Sequence, residues 1–117
     1  MKKPTRLEQL ANQISILEGY PKKGTLAQRQ NNPGNLRYVG QLGAVRGDKG
    51  FARFKTPQEG FQALHRQILL DASRKLTLKQ FVYKYAPPNQ NNSVAYLNHV
   101  SRSLNIHPLE PLSNIVK

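Results

Sequence analysis

The stretch that decides the fold lies between residues 29 and 38 and reads Arg29-Gln30-Asn31-Asn32-Pro33-Gly34-Asn35-Leu36-Arg37-Tyr38. Asparagine, proline and glycine favour turns, so we predict a loop over residues 20–35. Leu36–Tyr38 and Phe51–Phe54 have the composition of short strands, and Gly47–Gly50 predicts the turn between them. The register of this hairpin stays open.

Helical patterns flank the hairpin on both sides. Upstream, apolar residues at helical spacing predict a helix from Thr5 to Glu18. Downstream, helix-start signals predict three more helices over residues 56–73, 77–85 and 93–104.

The expected fold class is therefore α+β and mainly α. A small β-hairpin lies between the N-terminal helix and a C-terminal helical bundle. We expect a single domain over residues 1–117, with a core of about residues 5–105 and a C-terminal tail over residues 106–117.

Composition limits the kinds of function. The chain has 117 residues, and 18 lysines and arginines stand against six acids, which gives a net charge of +12. Such a surplus favours polyanionic partners: nucleic acid, an anionic membrane or cell envelope, or an acidic cell wall. There is no cysteine, and the three histidines lack metal-binding spacing, so we expect no metal site and no cofactor.

Nothing in the sequence predicts a membrane span or an export signal. No apolar run approaches the roughly 18 residues that a transmembrane helix needs. Polar residues interrupt the apolar residues of the N-terminal stretch, which is typical of an amphipathic helix and not of a signal peptide. We expect a chain made in the cytoplasm without a signal peptide.

Glu18 is the acid with the most unusual position. It continues the apolar stripe of the first helix and lies in its last turn, where the helix dipole disfavours an anion. Partial burial and the dipole would both raise its pKa. A carboxylic acid that stays protonated near neutral pH is what a glycosidase needs to protonate its leaving oxygen. The alternative is a frayed, solvated helix end paired with Lys22, Lys23 or Arg29.

Residues 29–38 resemble the segment Arg-x-Asn-Asn-Pro-Gly-Asn-Ile/Leu-Arg-Tyr of small lytic-transglycosylase-like proteins in the lysozyme-like superfamily, found in phages, prophages and some bacterial genomes. Phage lysozymes also place a catalytic acid at the end of an N-terminal helix, as the Glu18-Gly19 pair would be here. Weaker matches extend the resemblance over about residues 10–105. The chain lacks the helical Gly-Leu-Met-Gln segment that follows the glutamate in classical soluble lytic transglycosylases, so the substrate-lip residues of that class cannot be transferred.

The resemblance implies a lysozyme-like fold and an enzyme that cleaves the β-1,4 bond between N-acetylmuramic acid and N-acetylglucosamine in peptidoglycan glycan strands. Glu18 would be the catalytic acid, and the product would be the 1,6-anhydro sugar, or a reducing end if water replaces the sugar hydroxyl. Asp48 and Glu59 are candidates for a second carboxylate, with a structural role favoured for both. We expect a phage-encoded monomer that reaches the wall by virion delivery or during host lysis.

A glycan cleft also needs groups that bind amides and flat surfaces for sugar rings. Side chains of suitable type at loop or element-end positions are Asn35, Arg37, Tyr38, Tyr85, Asn91 and Asn92, and the resemblance adds Tyr96. Alternative roles stay open: Tyr85 in the core, and Asn91 or Asn92 as a helix cap. For the whole chain, the alternatives are a basic nucleic-acid-binding protein and a catalytically inactive virion structural protein of the same fold. Weak, non-specific nucleic-acid binding is expected in any case.

Overall fold

The computed structural model describes residues 3–117, so residues 1 and 2 of the predicted domain lie outside the described range. The elements follow one another as α1 (Arg6–Leu17), α2 (Leu26–Arg29), β1 (Ala44–Arg46), β2 (Ala52–Phe54), α3 (Pro57–Ser73), α4 (Leu78–Tyr85), α5 (Ser93–Leu104) and α6 (Leu112–Ile115). The predicted class is confirmed at this level: α+β and mainly helical, with a small two-stranded antiparallel hairpin. Within residues 3–117, no helix is long and apolar enough to span a bilayer.

The backbone falls into two compact units, which are described separately. The hairpin unit is Ala11–Gln67, and the helical unit is Ile68–Lys117 together with the residues up to Leu10. α1 and α3 each contribute residues to both units.

The phase predicted for α1 is confirmed. Ala11 and Ile14 are fully buried, whereas Ile16 on the opposite face is exposed. The helix begins with a capping box, because Thr5 N donates to Glu8 Oε1 at 2.8 Å and Glu8 N donates to Thr5 Oγ1 at 3.1 Å.

The first strand of the hairpin differs from the predicted one, and the structure gives the register that the sequence left open. β1 pairs with β2 through Ala44↔Phe54, Val45↔Arg53 and Arg46↔Ala52. The predicted strand at Leu36–Tyr38 makes only an isolated bridge, Arg37↔Phe51, with Tyr38 N donating to Gly50 O and Ala52 N to Leu36 O, each at 2.9 Å. The predicted turn at Gly47–Gly50 is confirmed, and it joins β2 to the segment directly before it, which is β1.

The sheet packs on α3 within the hairpin unit. Ala52 and Phe54 on β2 form a buried cluster with Ala63 on α3, and the partly buried Leu36, Tyr38 and Ala44 pack against it. Alternation along β2 explains this arrangement, since Ala52 and Phe54 face the cluster while Arg53 between them is exposed.

The helical unit has the core that apolar spacing predicted. α4 begins with the predicted capping box, in which Gln80 N donates to Thr77 Oγ1 at 3.1 Å and Thr77 N to Gln80 Oε1 at 2.9 Å. The buried apolar residues of α4 and α5 are Leu78, Phe81, Val82, Tyr96, Leu97, Val100 and Leu104.

Residues 106–117, which were expected as a C-terminal tail, contain the short helix α6 and buried apolar side chains. Leu112 and Ile115 of α6 are buried, at 0% and 5% exposure. The segment is also bonded to the start of α4, because Leu112 N donates to Leu76 O at 2.8 Å and Leu78 N to Glu110 O at 2.9 Å. Pro108 and Pro111 interrupt the apolar residues of this segment, so local patterns favour a tail and do not report its packing.

Leu112→Ala should lower the free energy of unfolding by about 2–5 kcal/mol, because it removes a fully buried side chain and leaves a cavity. Leu109→Ala is the matched control: Leu109 is 62% exposed, and we expect a change within about 0.5 kcal/mol. Urea unfolding followed by circular dichroism measures both. Equal stability of the two variants would contradict the placement of α6 in the core.

Candidate active site

Glu18 lies at the end of α1, and that end is closed, not frayed. Gly19 N donates to Ile16 O at 3.1 Å and Tyr20 N to Ser15 O at 2.9 Å, while Gly19 has φ +80°. These two bonds and the left-handed glycine are the Schellman motif, in which Glu18 is the C-cap residue. Glu18 is half-buried. Its backbone position is therefore fixed by hydrogen bonds on both sides.

Thr25 stabilises the loop that follows Glu18. This role of Thr25 was not predicted from the sequence. Its hydroxyl donates toward Gly19 O and Lys22 O, at 2.8 and 3.0 Å, and accepts from Gln28 N at 3.2 Å as the N-cap of α2. The sequence carries a signal for this role, because Thr25 and Gln28 have the spacing of a helix-start motif. Residues 20–35 are therefore not loop throughout, since they contain α2.

The carboxamides of Gln30, Asn31 and Asn32 form what we call the amide clamp. Gln30 Nε2 and Asn32 Nδ2 both donate to Ala52 O on β2, at 3.1 and 2.9 Å. Asn32 also donates to Leu36 O and accepts from Leu36 N, each at 2.9 Å.

Asn31 and a second hydrogen bond of Gln30 add further contacts between the clamp and the hairpin. Asn31 Nδ2 donates to Phe54 O at 3.0 Å and to Lys55 O at 3.2 Å. Gln30 Oε1 accepts from Asp48 N at 2.6 Å. Gln30 and Asn32 are 1% and 0% exposed. These residues of the resembling segment therefore bind the protein's own backbone.

Gly60 lets α3 pack directly on the clamp. A Cβ atom at this position would lie 2.0 Å from Asn31 O and 2.7 Å from Pro33 Cδ. Only glycine allows such a close approach of two backbones.

Asn35 lies in a turn with φ +47°, and its backbone N donates to Asn32 O at 2.9 Å. Its Oδ1 atom is buried and has no hydrogen-bond partner among residues 3–117. Asparagine tolerates this left-handed conformation better than most residues, which gives Asn35 a structural reason to be here.

Arg37 and Tyr38 lie in the hairpin unit with Glu18. Arg37 is exposed, and its guanidinium lies 4.9 Å from the centroid of the Phe51 ring. Tyr38 is half-buried, and Arg46 lies 4.9 Å from the centroid of its ring. A sugar that stacks on that face of Tyr38 would have to displace Arg46.

The remaining predicted contacts, Tyr85, Asn91, Asn92 and Tyr96, belong to the helical unit. Asn92 caps α5, because its Oδ1 accepts from Ala95 N at 3.1 Å, so the alternative role as a helix cap is confirmed for this residue. Asn91 is exposed. Tyr85 is half-buried with its ring centroid 5.4 Å from that of Phe81, and Tyr96 is buried at 7% exposure.

The side chains of the two candidates for a second carboxylate are engaged to different extents. Asp48 forms ion pairs with Arg29 and Arg53, each at 3.9 Å. Glu59 N donates to Thr56 Oγ1 at 3.2 Å, which confirms Thr56 as a helix cap. Glu59 Oε2 is buried and has no hydrogen-bond partner among the described residues.

The carboxylates of Glu8, Asp71 and Glu110 bind other groups of the protein. Glu8 completes the capping box of α1, and Glu110 accepts from Asn114 Nδ2 at 3.1 Å. Asp71 is 1% exposed and pairs with Arg74 and Lys84 within the helical unit. In the part of the chain that the structure describes, no group of three or more metal-type ligands comes together.

A search of the chain against protein-family models, curated proteins and solved structures returns no match.

Gly60→Ala should lower the free energy of unfolding by about 1–3 kcal/mol, because the new methyl group meets Asn31 O and the backbones must separate. The sign of this change in the free energy of unfolding tests the contact, because replacing glycine by alanine inside a helix ordinarily stabilises a protein by roughly 0.5–1 kcal/mol. Gln62→Ala, on the exposed side of the same helix, is the control. A Gly60→Ala protein as stable as the wild type in urea would contradict the close contact.

Proposed function

We propose that this chain is a peptidoglycan-cleaving enzyme with a lysozyme-like fold, and that Glu18 is its catalytic acid. The observation that carries the proposal is the position of Glu18, a half-buried acid at a closed helix end. It comes directly before the loop and the asparagine-rich segment that resemble the family. A fixed backbone supports catalysis, because a general acid must be held within hydrogen-bond reach of its leaving oxygen.

The surroundings of Asp48 and Glu59 favour a mechanism with one carboxylate. Hydrolases with two carboxylates hold the second one about 5–9 Å from the acid, where it acts on the sugar or on a water. Asp48 is paired with two arginines, and Glu59 lies in the first turn of α3, where its backbone N donates to the cap residue Thr56. We therefore assign the lytic transglycosylase type of reaction and not two-carboxylate hydrolysis.

In this reaction Glu18 acts first as an acid and then as a base. Its carboxyl proton goes to the bridging oxygen as the bond from that oxygen to the muramyl anomeric carbon breaks. The muramyl 6-hydroxyl then attacks the same carbon and gives its proton to the Glu18 carboxylate, which closes the 1,6-anhydro ring and restores the acid. The rate should fall as pH rises through the pKa of Glu18, because only the protonated form starts the reaction.

The predicted substrate contacts differ in what they leave available for a glycan. Arg37 and Asn91 are exposed, and Tyr38 and Tyr85 are half-buried. Asn35 Oδ1 is buried and the Asn92 carbonyl is used as a cap, so we place these two residues in support of the loops that carry the contacts. Tyr96 stays a proposed substrate contact, as the resemblance implies. A phage-encoded monomer delivered by a virion or released at host lysis is part of the same proposal.

Glu18→Gln should reduce the lysis of purified sacculi by at least about a hundredfold, because general acid–base catalysis contributes about that much or more. The variant keeps the size of the side chain and should keep the fold, which circular dichroism checks. Asp48→Asn is the matched control and should keep most of the activity.

The products test the type of reaction in the same experiment. Mass spectrometry of wild-type digests should show anhydromuramyl ends, each lighter by one water than a hydrolytic end. A folded Glu18→Gln protein with near wild-type lysis would contradict the assignment of the acid. Hydrolytic ends alone would contradict the transglycosylase type and leave Glu18 as a lysozyme-type acid.

Nucleic-acid binding is the second candidate, and the net charge of +12 favours it. Aromatic faces for base stacking are partly covered, because Arg37, Arg46 and Lys79 lie over the rings of Phe51, Tyr38 and Tyr83. The charge therefore supports weak, non-specific attraction to nucleic acid and equally to the anionic groups of a cell wall.

Salt titration separates these partners. Binding to purified sacculi and binding to DNA should both weaken as salt rises, since charges at the surface are screened over roughly 8–10 Å at physiological ionic strength. We expect DNA affinity to be independent of sequence. Tight, sequence-selective DNA binding at physiological salt, together with intact sacculi, would favour the second candidate over the enzyme.

A further inference from the structure

A loop on the hairpin unit displays three aliphatic side chains to solvent. Val39, Leu42 and Val45 are 78%, 77% and 58% exposed. They lie within seven consecutive residues, which comprise the loop over residues 39–43 and the first two residues of β1, Ala44 and Val45. We call residues 39–45 the apolar loop.

Hydrogen bonds order the loop in a conformation that leaves these side chains exposed. The side chain of Gln41 binds the backbone of the loop, because its Oε1 accepts from Val39 N and its Nε2 donates to Arg37 O, each at 2.9 Å. Gln41 O accepts from Ala44 N at 3.1 Å, and Gly40 and Gly43 take the positive φ angles that the tight path requires. The polar side chain of the loop therefore binds its own backbone, while the aliphatic side chains stay outside.

Cations surround the apolar loop, and residues 36–47 contain no acid. Arg37 and Arg46 are exposed at its two ends, and Arg66 from α3 donates to Leu42 O at 3.0 Å. Arg53 is the cross-strand partner of Val45, so both side chains stand on the same outward face of the hairpin. The next acid along the chain, Asp48, is already paired with arginines.

We infer that the apolar loop docks onto the surface of an anionic phospholipid bilayer. Exposed aliphatic side chains enter the boundary between headgroups and acyl chains, and arginines beside them pair with lipid phosphates. Two such signals together hold a protein at a membrane far better than either one alone. Glycans and nucleic acids offer no apolar phase for valine and leucine, so the charge alone would serve those partners. This inference does not depend on the proposed enzymatic activity.

Vesicle binding by the double variant Val39→Ser/Leu42→Ser tests the inference. The wild-type protein should sediment with vesicles of phosphatidylcholine and phosphatidylglycerol, and much less with phosphatidylcholine alone. The double variant should bind the mixed vesicles at least about tenfold more weakly, because two aliphatic side chains no longer leave water. Leu109→Ser, at an exposed leucine of the helical unit, is the matched control and should bind like the wild type. Both replaced residues of the loop are exposed, so the fold should persist, as circular dichroism checks.

A second measurement reports insertion directly. The chain has no tryptophan, so Leu42→Trp introduces a single tryptophan at the loop, whose emission is separable from that of the five tyrosines by excitation at a wavelength that tyrosine barely absorbs. Its emission should shift to the blue when mixed vesicles are added, while Leu109→Trp should keep its emission. Unchanged vesicle binding by the double variant, equal binding to neutral vesicles, or no binding by the wild type would each overturn the inference. A wild-type dimer that the double variant loses, with vesicle binding unchanged, would overturn it in favour of contact between copies of the chain.

Discussion

The hairpin unit depends on hydrogen bonds from buried carboxamides to the backbone of the hairpin. Asn32 donates two bonds and accepts one, and Gln30 donates one and accepts one, all to main-chain atoms. A buried polar group left without a partner costs about 1–3 kcal/mol, so these bonds are required once the side chains are inside. Because their partners lie on Leu36, Asp48 and Ala52, one short segment fixes three parts of the hairpin at once.

This arrangement separates the residues that carry the resemblance from the residue that would do the chemistry. The asparagine-rich segment contacts the protein's own backbone, through the amide clamp and the close approach to Gly60. The candidate acid lies earlier in the chain, at a helix end with its own closing bonds. A match to the segment therefore supports a shared scaffold first, and an activity only through the separate position of Glu18.

Local signals predicted the four longer helices, α1, α3, α4 and α5, because a capping box and apolar spacing act within one or two turns. Thr77 with Gln80 and the stripe of Ala11 and Ile14 are examples. The pairing of the hairpin was not predicted, because β1 has a single β-branched residue and gains its place from the turn and from packing on α3. The buried C-terminal segment was missed for a similar reason, since its partners lie more than thirty residues earlier, at Leu76 and Leu78.

In the candidate site too, local patterns predicted some features, while others depend on the folded structure. The phase of α1 placed Glu18 on the side that is partly buried, and the structure agrees. The roles of Asn35 and Asn92 depend on a turn and a cap, which are local but shared by many asparagines, so residue type alone suggested ligand contacts. The arginines over the rings of Tyr38 and Phe51 reach them through the folding of the hairpin unit, and no local pattern in the sequence predicts these contacts.

The amide clamp also determines how the hairpin unit responds to its chemical surroundings. Small loop-rich units are often held closed by disulfides, whose formation needs an oxidant and whose survival depends on the compartment. This chain has no cysteine, and carboxamides with a glycine contact close the corresponding loop. The closure forms in the folding step itself, and neither thiols nor oxidants act on it. We therefore expect the closure of this hairpin to be the same under reducing and oxidising conditions.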